Sequence, residues 1–370
     1  MSTRRSLSVL WLGALLFGAA GCAVPLQSEG IGDTAAHHYA LGMKFLETNE
    51  LDRAQEEFER AKGLAPSFAP AWEGLGLVAL ARKDLPVAEA NLQTAKGHDW
   101  RYVPAYLGLA RVYSAMGEPD RARREAEEAL RLAPRNARVH LVLGQILLAA
   151  FEFTRAEASF SRALELEPTN ADARREWDRS VKIRQAAPGT MVGKRIALAD
   201  PITRGELAAL LATELGVENH LRKRRPELFD PSFRPPGEPR GAPSGPGTPA
   251  DVGGHWARNA IELVARLHLM DAYPDGTFRP DEPVMRAGFA TTLEQVLSVV
   301  VNDSGIKTRY VGQQSPFPDL RSDHFAFNAA IVVTTRGLME AERPSGAFRL
   351  TNPVSGPEAL LAMRKLAELF

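Results

Sequence analysis

The sequence is poor in the residues from which chemistry is built. It has one cysteine, Cys22, which excludes an internal disulfide and any zinc site made of several thiolates. It has no net charge, with 45 Lys and Arg against 45 Asp and Glu in 370 residues. A protein whose main partner is a polyanion needs a basic excess, so nucleic acid is set aside as a partner. The one dense basic run, Arg222-Lys223-Arg224-Arg225, reads as the solvated edge of a linker. The eight histidines are scattered without metal-ligand spacing. His37 and His38 adjoin on a predicted helix and point apart. The stretch from Gly189 to Lys194 is one residue short of a phosphate loop and has no Ser or Thr after the lysine. Asp271, Asp275 and Asp281 lack the alternation of a calcium loop. No nucleophile has a base partner in view. No enzyme, cofactor or metal is expected on these criteria, which leaves binding and scaffolding.

The first residues read as an address. Arg4 and Arg5 precede Leu7 to Gly21, an uncharged and mostly apolar stretch too short to span a bilayer comfortably. It ends in small residues, the form of a secretory signal. Ala19-Ala20-Gly21-Cys22 resembles a bacterial lipobox. The resemblance implies cleavage after residue 21, acylation of Cys22 and a lipid-anchored tether over 22–34. Ala23 rather than Asp after the cysteine is similar to lipoproteins of the outer membrane facing the periplasm. The alternative is an ordinary cleaved signal that discards Cys22 or leaves it free. Several acyl chains at one point hold a protein on a membrane far better than one does.

The sequence then repeats itself. Leu41-Gly42, Leu75-Gly76, Leu109-Ala110 and Leu143-Gly144 are in register, as are Ala54, Ala88, Ala122 and Ala156. So are Phe58, Leu92, Ala126 and Phe160, and Ala61, Ala95, Ala129 and Ala163. Pro66, Pro134 and Pro168 close three units, with Trp100 at the fourth such place. The period and the alternation of small and large residues resemble tetratricopeptide (TPR) repeats, two helices per unit. Four units cover 35–68, 69–102, 103–136 and 137–170. The small residue after each Leu predicts close approach of two helix backbones. Tyr113, Leu147, Phe58 and Phe160 fill the remaining space, and the prolines stop the second helix. Four units satisfy the minimum for a solenoid. Ala171 to Gln185 is predicted to cap it, completing 35–185, with Trp177 and Val181 inward and a polar outer face.

The repeat register places Tyr39, Met43, Glu73, Leu77, Leu107, Arg111, Leu141 and Gln145 on the concave face. That mixed, rather apolar lining suits an amphipathic helix or extended peptide from a protein partner. Equally, the chain's own C-terminal half could cover part of it, since long apolar patches on monomers are unusual.

Residues 222–250 are dense in Pro and Gly and predict a linker. Gly254-His255-Trp256-Ala257 then leads into a helix, followed by Tyr273-Pro274-Asp275-Gly276-Thr277-Phe278-Arg279-Pro280. Gly276 suits the positive φ of such a turn, and a second helix begins near Arg286. Residues 251–301 resemble one S-layer homology (SLH) unit. Partial relatives flank it at 186–221, from Ile202-Thr203-Arg204-Gly205-Glu206, and at 302–370, through Phe317-Pro318-Asp319, Gly346-Ala347-Phe348-Arg349 and Ser355-Gly356-Pro357-Glu358. The expected fold class is all-α: a TPR solenoid followed by an SLH-like helical repeat domain built from three units.

The resemblance implies binding of an acidic cell-wall polysaccharide or peptidoglycan-linked glycan, with arginine at a helix start contacting the sugar acid. Guanidinium presents a planar donor fork to a carboxylate. Arg204, Trp256, Gly276 and Arg286 are the candidate residues, while Gly356 stands at the arginine position of the third unit. Thr203 with Glu206 and Ser355 with Glu358 also read as capping boxes, which need no ligand. A purely structural or protein-docking role for this domain therefore stands beside glycan binding. The whole reads as a non-enzymatic envelope scaffold, or alternatively as an outer-membrane-to-cell-wall tether in which the TPR is mainly a spacer.

Overall fold

The structure, a computed structural model, describes residue 30 and residues 33–229 and 249–370. The signal-like segment, Cys22, nearly all of the proposed tether and most of the Pro/Gly-rich stretch lie outside the described residues. All regular elements longer than a single bridge are helical among the described residues. No described helix is long and apolar enough to cross a membrane. The residues fall into two compact units, up to Met116 and from Gly117 onward.

The first unit holds α1 (Ala35–Glu47), α2 (Leu51–Leu64), α3 (Ala69–Ala81), α4 (Leu85–His98) and α5 (Val103–Ala115). Each packs on the next, and α1 and α5 also pack on α3. The second helices carry a buried stripe of Ala54, Phe58 and Ala61 in α2 and Ala88, Leu92 and Ala95 in α4. The glycines of the first helices explain the large member of each stripe. A Cβ on Gly42 would lie 2.5 Å from the Phe58 ring, and one on Gly74 2.4 Å from it. Gly76 and Gly108 make the same room for Leu92, at 2.6 and 2.5 Å. The small residues thus admit a side chain from the second helix, where the repeat pattern alone suggests contact between backbones. Prolines at 66, 134 and 168 follow helices that end two residues earlier, at Leu64, Leu132 and Leu166.

A second periodic feature has no apolar signal. The Trp72 indole N–H donates to the Pro66 carbonyl at 2.7 Å, and the Tyr106 hydroxyl to that of Trp100 at 2.6 Å. In the second unit His140 Nε2 is 2.9 Å from the Pro134 carbonyl. Three different polar tips at one repeat position satisfy the same kind of loop carbonyl, which would otherwise be left without a partner.

The second unit continues with α6 (Pro119–Leu132), α7 (Ala137–Ala149), α8 (Phe153–Leu166) and α9 (Ala171–Ala186). Gly144 admits the Phe160 ring at 2.5 Å. Beyond α9 come α10 (Met191–Ile196), α11 (Arg204–Ala209), whose last turns widen into a π-helix over Leu210–Glu214, and α12 (Val217–Arg224). Then follow α13 (Arg258–Arg266), α14 (Arg286–Val301), α15 (Phe327–Thr335) and α16 (Gly356–Ala367).

These C-terminal elements close around a pseudo-threefold ring of backbone hydrogen bonds. Val284 N–H donates to Ile202 C=O, Val354 N–H to Val284 C=O and Ile202 N–H to Val354 C=O, each at 2.9 Å. All three side chains are buried. Helices α11, α14 and α16 each start two residues after a member of this ring. The first helix of the second unit, α13, packs on α11, and that of the third, α15, packs on α14. The equivalent partner of α16 is α9.

Helix α9 therefore has two buried sides, one against α8 and one against α16. Ala173, Ser180, Ile183 and Ala186 are its buried residues, while Trp177 and Val181 are only half-buried. Arg179 donates to the Leu198 carbonyl at 2.5 Å, and the Arg364 guanidinium to that of Gln185. The expected polar outer face is in part an interface. One helix both ends the solenoid and opens the first C-terminal unit, whose first half looks absent from the sequence because it lies inside the TPR pattern.

The basic run at 222–225 is solvated as expected, with Arg222, Lys223 and Arg224 exposed, but it ends a helix rather than lying in a linker. Arg222 and Arg224 belong to α12, with Arg222 paired to Glu218 at 2.7 Å and Arg224 on the Phe370 carbonyl. Arg225 is held by Glu227 and by the Val299 carbonyl.

Candidate functional site

The ring brings each helix start of one C-terminal unit against the turn of the next. At the first junction, Arg204 of α11, in the first C-terminal repeat, reaches into the second C-terminal repeat (251–301). Its guanidinium donates to the carbonyls of Phe278 at 2.8 Å and Asp271 at 3.0 Å. It lies 4.8 Å from the Tyr273 ring centre and 4.7 Å from that of Phe278. At the second junction Arg286 of α14 repeats the pattern in the third unit. It donates to Phe348 C=O at 2.8 Å and Glu340 C=O at 2.7 Å, and lies 4.9 Å from the Phe348 ring. At the third junction Gly356 holds the place of the arginine. A Cβ there would sit 1.8 Å from the Ile196 carbonyl oxygen and 3.1 Å from that of Ala199. Its own N–H donates to Ala199 C=O at 2.9 Å.

The turns that receive the arginines are fixed alike. Asp251 accepts the N–H groups of Phe278 and Arg279 at 2.8 and 2.6 Å, and Asp319 those of Phe348 and Arg349 at 2.7 Å each. Burial would raise both carboxyls, but these donors prevail and hold them below the usual carboxylate range. Asp275 accepts from the Thr277 hydroxyl and N–H, with Arg279 beside it, and is lowered to about 2. Gly276 has φ 80° and Gly346 φ 71°, so Gly276 is placed as the residue that permits the turn.

The two arginines differ in charge balance. Arg286 is well buried and forms an ion pair with Glu358 of the third unit. Burial pushes the Glu358 carboxyl upward, against the pull of Arg286 and of Lys182. Arg204 has no carboxylate within ion-pair distance among the described residues, and burial lowers its pKa. Two residues into the second helix, the second C-terminal unit has Gly288 where the third has Glu358. Gly288 is exposed, and a Cβ there would meet nothing within 4 Å.

The capping boxes follow the same logic. Thr203 and Glu206 form one in full, with bonds of 3.2 and 2.8 Å. The expected Ser355–Glu358 box does not form in full, since the Ser355 side chain makes no cap bond. Glu358 pairs with Arg286 and also accepts the Ser355 N–H, the half of the box that is present.

Trp256 is 57 % exposed and stacks on His255, with ring centres 5.7 Å apart. His255 in turn packs against Gly205, beside Arg204, where a Cβ would lie 2.7 Å from its ring. The third unit repeats this with His324 and the exposed Phe325, ring centres 4.5 Å apart. In each pair the imidazole Nδ1 accepts a backbone N–H two residues on, at 3.1 and 3.2 Å. The ring is thereby fixed, leaving the larger aromatic displayed.

In the repeats of the first unit, Tyr39, Met43, Leu77 and Arg111 are half-buried, while Glu73 and Leu107 are buried. Glu73 accepts the Tyr39 hydroxyl at 3.0 Å, one repeat apart, so this carboxylate is engaged in holding neighbouring helices. In the second unit Leu141 is buried and Gln145 half-buried. The stretch resembling a phosphate loop is closed from within. The Glu214 carboxylate accepts the N–H groups of Gly189 and Thr190 at 2.7 and 3.1 Å, and the Thr190 hydroxyl at 2.6 Å. Among the described residues no cluster of His, Cys, Asp and Glu could hold a metal ion.

Comparison with known proteins agrees with these two architectures. Residues 39–100 and 107–177 match a tetratricopeptide repeat family, and residues 250–290 match the S-layer homology domain. A cellulosome-anchoring protein of Acetivibrio thermocellus is 49 % identical over 43 residues, covering 12 % of this chain and 10 % of that protein. Cell surface glycoprotein 1 of the same organism is 30 % identical over 115 residues, 31 % of this chain and 5 % of that protein. This chain thus matches a tenth or less of the length of these relatives. Among solved structures, a thermophilic TPR protein of Thermus thermophilus is 22 % identical with a TM-score of 0.38, covering 40 % of this chain and 81 % of that one. A TPR protein with an unusual peptide-binding site is 20 % identical with a TM-score of 0.31, covering 41 % and 78 %. The chain carries tetratricopeptide repeats followed by an S-layer homology domain, both of them structural, non-catalytic modules of binding and scaffolding.

Proposed function

We propose that this protein is an envelope scaffold whose C-terminal domain grips an acidic cell-wall glycan at the junction lined by Arg204. The observation that carries the reading is the guanidinium of Arg204: half-buried, oriented by two carbonyls and two aromatic rings, and with no carboxylate in direct ion-pair contact among the described residues, Glu282 and Asp251 acting on it only from farther away. A cation held in place whose donors meet no carboxylate directly favours an anionic ligand. Trp256 and His255, next to the same junction through Gly205, offer an apolar plate for a sugar ring. The relatives, a cell surface glycoprotein and a cellulosome-anchoring protein, support a place in the cell envelope.

Two further parts complete the reading. Cys22 carries the lipid that fixes the protein to the outer membrane on its periplasmic side. The inner-helix face around Met43 and Leu77 receives a protein or peptide partner. Intact-mass analysis of membrane-fraction protein tests the first, since a mature N-terminus beyond Cys22 without acyl mass is incompatible with it. Capture experiments comparing wild type with Met43→Glu/Leu77→Glu test the second. If both chains retain the same partners, the repeats act as a spacer and the protein is a tether.

Co-sedimentation with purified cell wall tests the glycan site. Losing a charge-assisted contact costs about 1.5–3 kcal/mol, roughly tenfold or more in affinity. Arg204→Ala should therefore sediment at least tenfold more weakly at low salt, with the difference shrinking as salt rises. Equal sedimentation of the variant and the wild type would end the reading.

A further inference from the structure

The three junctions of the C-terminal domain are built on one plan and differ in what fills them. The first has Arg204 with no carboxylate opposite among the described residues. The second has Arg286 in an equivalent setting, with matching carbonyl and ring partners. There the Glu358 carboxylate occupies the guanidinium. The third has no arginine, and backbone from the first unit fills its place against Gly356. The occupant of the second junction is chemically what an acidic glycan would bring, a carboxylate on a guanidinium.

We propose that Glu358 is a built-in substitute for ligand, so that the domain has one working anion site, at Arg204, and one latent site, at Arg286, held shut by Glu358. This rests on the glycan reading of Arg204. The ligand class for both sites is a carboxylate-bearing saccharide. The residue two positions after each arginine's counterpart in the next unit sets the state of the junction. Gly288 leaves the first open and Glu358 shuts the second. Exchanging these residue types should exchange the states.

The sequence of substitutions in the three units becomes intelligible on this basis. Glu358 keeps an arginine partner while its Ser355 keeps no side-chain cap bond. Glu206, at the same position of the first unit, closes the capping box of its own helix with Thr203. Each carboxylate at this position thus has an internal partner, and the one position that lacks a carboxylate is matched by the one arginine of the pair without a direct ion pair among the described residues.

The test follows the side-chain Nε–H resonances of Arg204 and Arg286 in the full chain, titrated with a glucuronate-terminated disaccharide. In the wild type the Arg204 signal should shift saturably and that of Arg286 should stay still. In Glu358→Ala both should shift. In Gly288→Glu the Arg204 response should weaken at least tenfold, because the new carboxylate is placed to occupy it. A wild-type response at Arg286, or its silence in folded Glu358→Ala, overturns the latent site while leaving the Arg204 reading intact. If Glu358→Ala does not fold, Gly288→Glu decides the matter: its exposed position has room for a side chain, and undiminished binding there overturns the inference. No response at Arg204 in the wild type removes the glycan reading, and the latent site with it.

Discussion

Restoring the arginine that the third unit lacks is the substitution a sequence comparison invites, and the structure predicts that it damages the domain. Gly356→Arg begins with a Cβ that would lie 1.8 Å from the Ile196 carbonyl oxygen, 2.8 Å from its carbonyl carbon and 3.1 Å from the Ala199 oxygen. Both obstacles are backbone, so no rotamer change relieves them. Overpacking a core by a methylene costs about 1–3 kcal/mol when side chains can adjust. Here two chain segments must separate by more than an ångström, and the hydrogen bond from Gly356 N–H to Ala199 lies in the same contact. The expected loss is about 3–5 kcal/mol, in the range reserved for severe packing faults. Gly288→Ala is the control, since its Cβ meets nothing within 4 Å. Replacing glycine in a helix there should stabilise by about 0.5–1 kcal/mol. The assay is amide exchange at Ile202, Val284 and Val354, whose N–H groups form the closing ring. Ring protection in Gly356→Arg equal to the wild type would refute the reasoning that backbone closes the third junction.

In the repeats, Phe58→Ala should destabilise the first unit by about 3–5 kcal/mol in urea denaturation, because a fully buried ring between two glycines leaves a cavity that neighbours cannot fill. Stability of α1 and α2 should also depend on pH through His38, whose two ring nitrogens lie 2.5 Å from Glu57 and 2.7 Å from Asp33. Burial lowers its pKa, but the two carboxylates prevail and hold it above the ordinary imidazole value. The contribution is therefore complete below the ordinary value and is lost as pH rises through the raised one. The gap between wild type and His38→Gln, read by α1 amide exchange, should be larger at acidic than at alkaline pH.

The solenoid is legible in the sequence because its signals are local and repeated. Ala54, Phe58 and Ala61 recur one unit on as Ala88, Leu92 and Ala95, and the helices follow with the same period. The partner of each glycine is not legible, because the pattern marks a small residue without saying which atoms enter the space. The C-terminal domain is legible where it is least altered, around Trp256, Gly276 and Arg286. The state of its junctions is not. Arg204 and Arg286 sit in the same motif position, and what separates them is the ion pair that Arg286 makes with Glu358 of the following unit and that Arg204 does not make among the described residues. Such a relation crosses from unit to unit and emerges only when the ring closes. Helix α9 shows a single role in the sequence for a related reason: one amphipathic pattern is visible, while the second contact comes from α16, far along the chain.

That second contact makes a prediction about where the chain can be divided. A cut at residue 186, natural on repeat boundaries, takes α9 away from the C-terminal domain. Helix α16 buries Leu360, Met363 and Leu366 among its apolar residues. It packs on α9, with Leu360 and Met363 lining one cleft together with Ala186. Uncovering a Leu or Met fully costs about 1.5–3 kcal/mol, so even partial exposure of two or three is large against a domain stability of about 5–15 kcal/mol. The cut also removes the Gln185 carbonyl that receives Arg364, and the Arg179 side chain that holds the Leu198 carbonyl. Residues 171–370 should therefore unfold cooperatively with dispersed amide resonances, while residues 187–370 should lose the native packing of α16 and melt at lower denaturant. If the two fragments unfold at the same midpoint, α9 is only a cap of the solenoid, and the first C-terminal unit stands without a first helix.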